Sequence, residues 1–220
     1  MRADIRIIYE DAKVIVIYKP ASLAVQSANV SQPDVCSILR NRLKGGYLGV
    51  VHRLDQPVEG LLVFAKDKDT AAVLSADLAS GRLKKSYKAV VYGTVTESGS
   101  DVCHMRKNDK KMCEIGEGPD FKKAELSYDL VASLDGTSLL DIRIGTGRFH
   151  QIRAQMAHLG FPLIGDSKYG SRESIEKTRE MNVRFPALCA DRLSYFDPLT
   201  GEEKVFNVMP ENPAFGMYDI

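Results

Sequence analysis

The sequence predicts a single mixed α+β domain with a mainly antiparallel sheet flanked by helices. Three features predict it. Strand-length runs, apolar or alternating, recur along the whole chain and are joined by short turns. Other stretches place their apolar residues at helical spacing and stop at glycine. No repeat, low-complexity tract or linker divides the 220 residues, a length that suits one large domain with a sizeable core.

Ile5–Tyr9 and Val14–Tyr18 are rich in β-branched residues, and Lys19-Pro20 ends the second run. Residues 21–34 are small and polar, a loop. Val35, Ile38, Leu39 and Leu43 predict a helix that Gly45-Gly46 stops. Leu48–His52 and Gly60–Lys66 read as strands around a tight loop at Arg53–Glu59. Asp67–Ser80 has a helical stripe of Ala71, Leu74 and Leu78, with Gly81 as its stop. Ser86–Tyr92 is strand-like, whereas the polar residues 96–120 predict a surface excursion with room for a short hairpin. Ala124–Ala132 and Leu139–Ile144 alternate on either side of the Asp135-Gly136 turn. A helix over 149–159 buries Phe149, Ile152, Met156 and Leu159, and a short exposed one covers 171–181. Leu188–Phe196 and Glu203–Val208 form a closing hairpin.

Composition excludes several classes. With 44% hydrophobic and 27% charged residues, the chain is neither a disordered tail nor a fibre nor a coiled coil. No apolar run approaches the roughly 18 residues of a membrane span, and the first residues lead into a strand pattern without a signal peptide. Cys36, Cys103, Cys113 and Cys189 form no CxxC pair, as expected of reduced thiols in a cytoplasmic protein. Cys103, His104 and Cys113 fit no zinc spacing, and neither a Walker loop nor a Rossmann glycine pattern is present, so no metal or cofactor is expected. The net charge is +1, yet ten basic residues face six acidic ones between Arg82 and Lys123, a local +4. That region is either a solvated face or a patch for an anionic partner. No spare apolar stripe is visible, which predicts a monomer.

Four constellations can carry chemistry. His52-Arg53-Leu54-Asp55 ends a strand, so Asp55 either points out of the scaffold or holds the turn and pairs with Arg53. Gly145–Arg153 gathers Arg148, His150, Gln151 and Arg153 around one helix N-terminus, an end that favours anions. The stem of Arg153 can be buried while its guanidinium reaches a carboxylate. Lys84-Lys85-Ser86-Tyr87-Lys88 surrounds an aromatic with cations, suited to phosphates and a stacked base, or else is a core tyrosine between surface lysines. Gly165-Asp166-Ser167-Lys168-Tyr169-Gly170 is either a ligand-binding loop or, on the favoured reading, a structural turn.

In order along the chain, five segments resemble the RluA family of RNA pseudouridine synthases. They are Ile8–Asp11 leading to Lys19-Pro20, His52–Asp55 with Gly60–Val63, Lys84–Gly93, Thr146–Arg153 continuing to Gly160–Pro162 and Gly165-Asp166, and the Leu193–Glu202 hairpin. Four positions depart from the family pattern. Val58-Glu59 stands for the usual Thr-Ser, Phe149 for a small hydroxyl residue, and Gln155 and Cys189 for histidines.

The resemblance implies the pseudouridine synthase catalytic fold without a separate N-terminal RNA-binding domain. It also implies isomerisation of uridine in structured RNA, ribosomal or transfer. The bond from ribose to uracil nitrogen breaks, the base turns, and it rejoins through carbon, with no redox step, metal or nucleotide. The family assigns the catalytic carboxylate to Asp55, which must be ionised to act. It assigns that carboxylate's arginine partner to Arg153, and the tyrosine packed on the target base to Tyr87. Arg53, His52, Lys84, Lys85, Arg148, His150 and Gln151 are the expected RNA contacts. Two other classes compete. A non-catalytic RNA-binding module would use the same scaffold without chemistry. A glycoside hydrolase would need a second carboxylate, for which Asp166 is the candidate.

Overall fold

The computed structural model describes residues 4–27, 29 and 31–220. By contacts the chain falls into two compact units, Met1–Lys85 with Cys189–Met209 and Ser86–Leu188 with Pro210–Ile220. The mixed, mostly antiparallel α+β class expected from the sequence is borne out.

The first unit is built on β1 (Arg6–Glu10), β2 (Val14–Lys19), β3 (Gly49–Val50) and β4 (Glu59–Ala65), completed from far along the chain by β10 (Leu188–Phe196) and β11 (Glu203–Asn207). β2 pairs antiparallel with β1 on one side and β4 on the other, and β10 runs parallel to β4 through Cys189–Glu59 and Ala190–Gly60. Every residue of β2 and β4 is buried, which explains their unbroken apolar runs. Alternate residues share a face. Val14, Val16, Leu61, Val63 and Ala65 therefore form one core with Leu193 and Tyr195. Onto that core pack Leu74, Ala71 and Leu78 of α2 (Lys68–Ser80). Asp67 caps this helix by accepting from Thr70 N–H, and Gly81 ends it in the left-handed conformation. α1 (Val35–Arg42) starts with a reciprocal cap between Asp34 and Ser37. The expected strand at Leu48–His52 shrinks to the two residues of β3, because the chain turns away to form the loop before β4.

In the second unit the order is β5-β9-β8-β6-β7, all antiparallel neighbours. These are β5 (Lys84–Tyr92), β6 (Gly99–Lys107), β7 (Cys113–Ile115), β8 (Lys122–Leu134) and β9 (Thr137–Ile144). The stretch expected as a surface excursion with a short hairpin does hold that hairpin, β6–β7, and β6 extends it into ordered sheet. β6 is nine residues long and pairs with β8 over seven positions. Its polar composition follows from its burial pattern, since only Met105 is buried. Met105 joins Ala124 and Ala154 in a small core beneath α3 (Gln151–His158). α4 (Arg172–Glu180) buries only Ser174, and a 3₁₀ turn at Pro213–Met217 carries Ala214 and Phe215 into the interior. Among the described residues no helix is long and apolar enough to cross a membrane.

Gly60 shows why the glycine in the Gly60–Val63 segment has no substitute. Its φ is +124°, and a Cβ there would stand 2.4 Å from the backbone nitrogen of Ala190 on β10. The clash is with backbone, so no side chain can yield. Gly60→Ala is expected to cost at least about 2 kcal/mol through forced backbone shifts and to lower the Tm by roughly 5 °C. Thermal unfolding checks this; an unchanged Tm would mean that β4 and β10 can separate without loss.

Candidate active site

In the first unit the site is the loop between β3 and β4. Asp55 is half-buried, between the buried Leu54 and the exposed Gln56, and its carbonyl accepts from Val58 N–H at 3.0 Å in a tight turn. The loop is fixed from beneath by Lys19, the last residue of β2, whose side chain is wholly inaccessible. Its Nζ donates to the carbonyls of Pro20 (3.0 Å), Leu23 (2.8 Å) and Gln56 (3.0 Å). An ammonium has three protons, and all three are used. The Gln56 amide adds a bond to the Ser22 carbonyl at 2.9 Å, so two loops are tied together at two points.

Burial holds the pKa of Lys19 down at about 7, while the negative charges of Asp55 and Glu59 pull it upward. Glu59 is itself buried and accepts from the Tyr18 hydroxyl at 2.8 Å. A carboxylate where the family usually has a small hydroxyl residue is therefore housed by a tyrosine and set near a buried cation. His52 is buried, its Nε2 accepts from Val63 N–H at 3.3 Å, and burial, with the charge of Lys85 second, keeps it neutral well below the usual range. It belongs to the loop's foundation. Arg53 and Lys84 are exposed, and Lys85 is half-exposed.

In the second unit Tyr87 is 4% exposed on β5, opposite Ile142. Its neighbour Lys88 is paired with Asp141 across the strands at 2.7 Å. The loop from β9 into α3 is stitched by Gln151. Its Oε1 accepts from the Thr146 hydroxyl and from Arg148 N–H, both at 2.9 Å, and its Nε2 donates to the Glu125 carbonyl at 2.9 Å. That amide is spent on the loop. Arg148 donates from Nε to the Lys123 carbonyl at 2.8 Å. His150 adopts a left-handed φ of +53°, which costs on the order of 1–2 kcal/mol, and its Nδ1 lies 2.8 Å from the Tyr169 hydroxyl. That hydroxyl accepts from Cys113 N–H at 2.7 Å and is pushed up to a pKa of about 12 by burial.

Sequence reasoning missed the partner that the structure puts on Arg153. The guanidinium makes a two-pronged pair with Asp166, Nε to Oδ2 at 2.6 Å and NH2 to Oδ1 at 2.8 Å, with both side chains nearly inaccessible. Asp166, expected to be a turn residue, is thus the anchor of Arg153, and it also accepts from Lys168 N–H at 3.0 Å. The turn that presents it needs Gly165, at φ +83°, where a Cβ would meet the Phe185 carbonyl oxygen at 2.0 Å. The Tyr169 ring lies beneath the guanidinium at 5.3 Å. The sequence signal was the Gly165-Asp166 step itself, a carboxylate held rigidly after a glycine that nothing else can replace.

Residues 13–158 match the RNA pseudouridylate synthase family, a span that holds the His52–Asp55, Lys84–Gly93 and Thr146–Arg153 segments. The chain belongs to the RluA family of RNA pseudouridine synthases. These enzymes are isomerases. The ribosomal large subunit pseudouridine synthase D of Zymomonas mobilis subsp. mobilis is 30% identical over 223 residues, covering 94% of this chain and 70% of that protein. Its namesake from Vibrio cholerae serotype O1 is 34% identical over 218 residues, with 92% and 66% covered. The chain thus spans about two thirds of the length of these relatives. The solved structure of human RNA pseudouridylate synthase domain containing 4 superposes with a TM-score of 0.75 at 22% identity, covering 94% of this chain and 89% of that one. It shares the fold.

Two measurements probe the family's scaffold here. Asp166→Ala removes the carboxylate from a buried ion pair, and breaking such a pair costs about 3–5 kcal/mol. Denaturant unfolding is expected to show that loss, and one below about 1 kcal/mol would mean another group takes over the guanidinium. The second concerns Lys19. Its folded-state pKa lies below the ordinary 10.5, so between about pH 7 and 10.5 the unfolded chain holds this proton more tightly. The buried charge costs stability in full below that window, and the cost fades as the pH rises through it. Relative to Lys19→Met, wild-type stability should therefore climb with pH across the window, by up to about 1.4 kcal/mol per unit. Parallel pH profiles for the two proteins would show that Lys19 titrates in its ordinary range.

Proposed function

We propose that the protein is an RNA pseudouridine synthase that isomerises specific uridines in structured RNA, with residues 1–220 acting as one catalytic domain. The observation that carries this is the setting of Asp55. Its carboxylate sits on a loop tied down at two points, with the Lys19 charge acting on it, inside the segment that matches the family. A rigidly held carboxylate suits a reaction that rearranges bonds at one nucleoside, because orientation replaces the cost of bringing the reactants together.

In this reading Asp55 is the catalytic carboxylate and Tyr87 packs on the target uracil. Arg153 is the arginine that the family gives to that carboxylate, and its own position is secured by Asp166. The glycosidic C1′–N1 bond breaks and the uracil turns. A C1′–C5 bond forms, the proton leaves C5 and N1 gains one, so atoms balance without a co-reactant. The target uridine must leave its stack, at a cost of a few kcal/mol, roughly, which phosphate contacts by Arg53, Lys84, Lys85 and Arg148 offset. The names of the bacterial relatives support ribosomal RNA as the substrate class over transfer RNA; in this reading the enzyme is cytoplasmic and acts as a monomer.

Asp55→Asn is expected to lower pseudouridine formation by about 10⁴-fold or more, the scale of losing a group essential to bond making, with folding and RNA affinity nearly unchanged. Pseudouridine mapping on ribosomal RNA incubated with either purified protein reads this out. Normal turnover by the mutant would overturn the assignment. Intact binding with no pseudouridine from the wild type would identify a binding module instead.

A further inference from the structure

A cavity of about 530 Å³ opens in the second unit between the β6–β7 hairpin and the loop that enters α3. Lys107, Lys122, Arg148 and Phe149 line it, together with Asp109 and Asp120. Its volume is within the range of small-ligand pockets, roughly 300–1,000 Å³. Arg106 also borders it, but its charge is matched by Glu114 at 3.0 Å and its guanidinium lies on the Phe121 ring. Lys107, Lys122 and Arg148 have no ionic partner among the described residues. Three such cations against two carboxylates leave one positive charge in the cavity, the complement of one phosphodiester.

The cavity also holds a platform. Phe149 is 37% exposed, unusual for a phenyl ring in a loop otherwise so tightly bonded. The imidazole of His150 stacks on one face, with ring centroids 3.8 Å apart and planes 20° apart. The Lys107 ammonium lies 4.7 Å over the ring. With His150 covering one face, that ammonium is on the other, where a base would lie. A cation over an exposed ring is worth about 0.5–1 kcal/mol, less than the 1–3 kcal/mol of a stacked base, so a nucleotide can displace it toward a phosphate. Beyond Nε, which is bound to the Lys123 carbonyl, Arg148 keeps its two terminal nitrogens for an acceptor.

We propose that this cavity binds one unpaired nucleotide of the RNA beside the target uridine, its base stacked on Phe149 and its phosphodiester held by Lys107, Lys122 and Arg148. The inference rests on the RNA-modifying function proposed above and deepens it by placing a second nucleotide. A paired nucleotide cannot offer its face, so the cavity selects substrates in which a neighbour of the target is splayed out of its stack.

The test uses the full chain and fluorescently labelled hexauridylate, with binding read by anisotropy across a salt series. Phe149→Ala is expected to weaken binding at least about fivefold at every salt concentration, without altering the salt slope. Phe149→Tyr should restore it. Lys107→Ala with Lys122→Ala should flatten the slope by about 1.4, two single-strand phosphate contacts of roughly 0.7 each. Wild-type affinity in Phe149→Ala would overturn the proposal. So would uridine monophosphate competing as well as the oligonucleotide, which would mark a site for a free nucleotide. Repeating the titrations on Asp55→Asn, and assaying pseudouridine separately, keeps the two readings apart. Loss of the isomerase assignment would show in the product, and loss of this one in the Phe149 titration.

Discussion

The loop that carries Asp55 depends on one buried ammonium. Lys19 is delivered by a wholly buried strand, and its three protons end on three carbonyls, two from the loop after β2 and one from the loop before β4. Burying such a charge is expensive, and the structure meets the expense with complete hydrogen bonding and two nearby carboxylates. Removing any of these partners would leave a cation with less to hold it. The Asp55 loop is therefore not an adjustable surface loop.

The second unit uses the same principle with different chemistry. Arg153 is fixed by a two-pronged carboxylate, and Tyr169 links the guanidinium, His150 and the backbone of Cys113. Two segments distant from it in sequence, at Cys113 and at His150–Arg153, thus converge on one phenol. Gln151 does comparable work within its own loop. Several polar side chains near the helix N-terminus hold the backbone, while Arg148 and the exposed Phe149 face outward.

Much of this was legible in the sequence and the remainder was not, for physical reasons. The closing strand Leu188–Phe196 was expected with the bounds observed, and α2 and α3 to within two residues, although Phe149, expected in the buried stripe of α3, is exposed. β6 was unreadable as a strand because its burial alternates without its hydropathy: the inward positions hold Gly99, Asp101 and Cys103 before the buried Met105, and Val102 faces out. The motifs pointed to Asp55, Tyr87 and Arg153, but periodicity carries no information about which carboxylate meets which cation. Lys19 read as the end of a strand because its acceptor on Gln56 is 37 residues away. Asp166 read as a turn because its partner lies on a helix that has already ended. An ionisable residue closing a wholly apolar run is the signal worth keeping from Lys19.

The chain leaves its first unit at Lys85 and returns at Cys189. β4 ends at Ala65, so its parallel edge has no partner until β10 has been made. At roughly 5–20 residues per second of synthesis, that edge waits on the order of 6–25 s on the ribosome. During that time Glu59 and Gly60, at the start of β4, lack their parallel partner, and Gly60 lacks the backbone it will press against. Maturation of the Asp55 loop is thus tied to the last quarter of the chain. A nascent chain halted before residue 189 would present an incomplete sheet, a substrate for chaperones rather than an early catalyst.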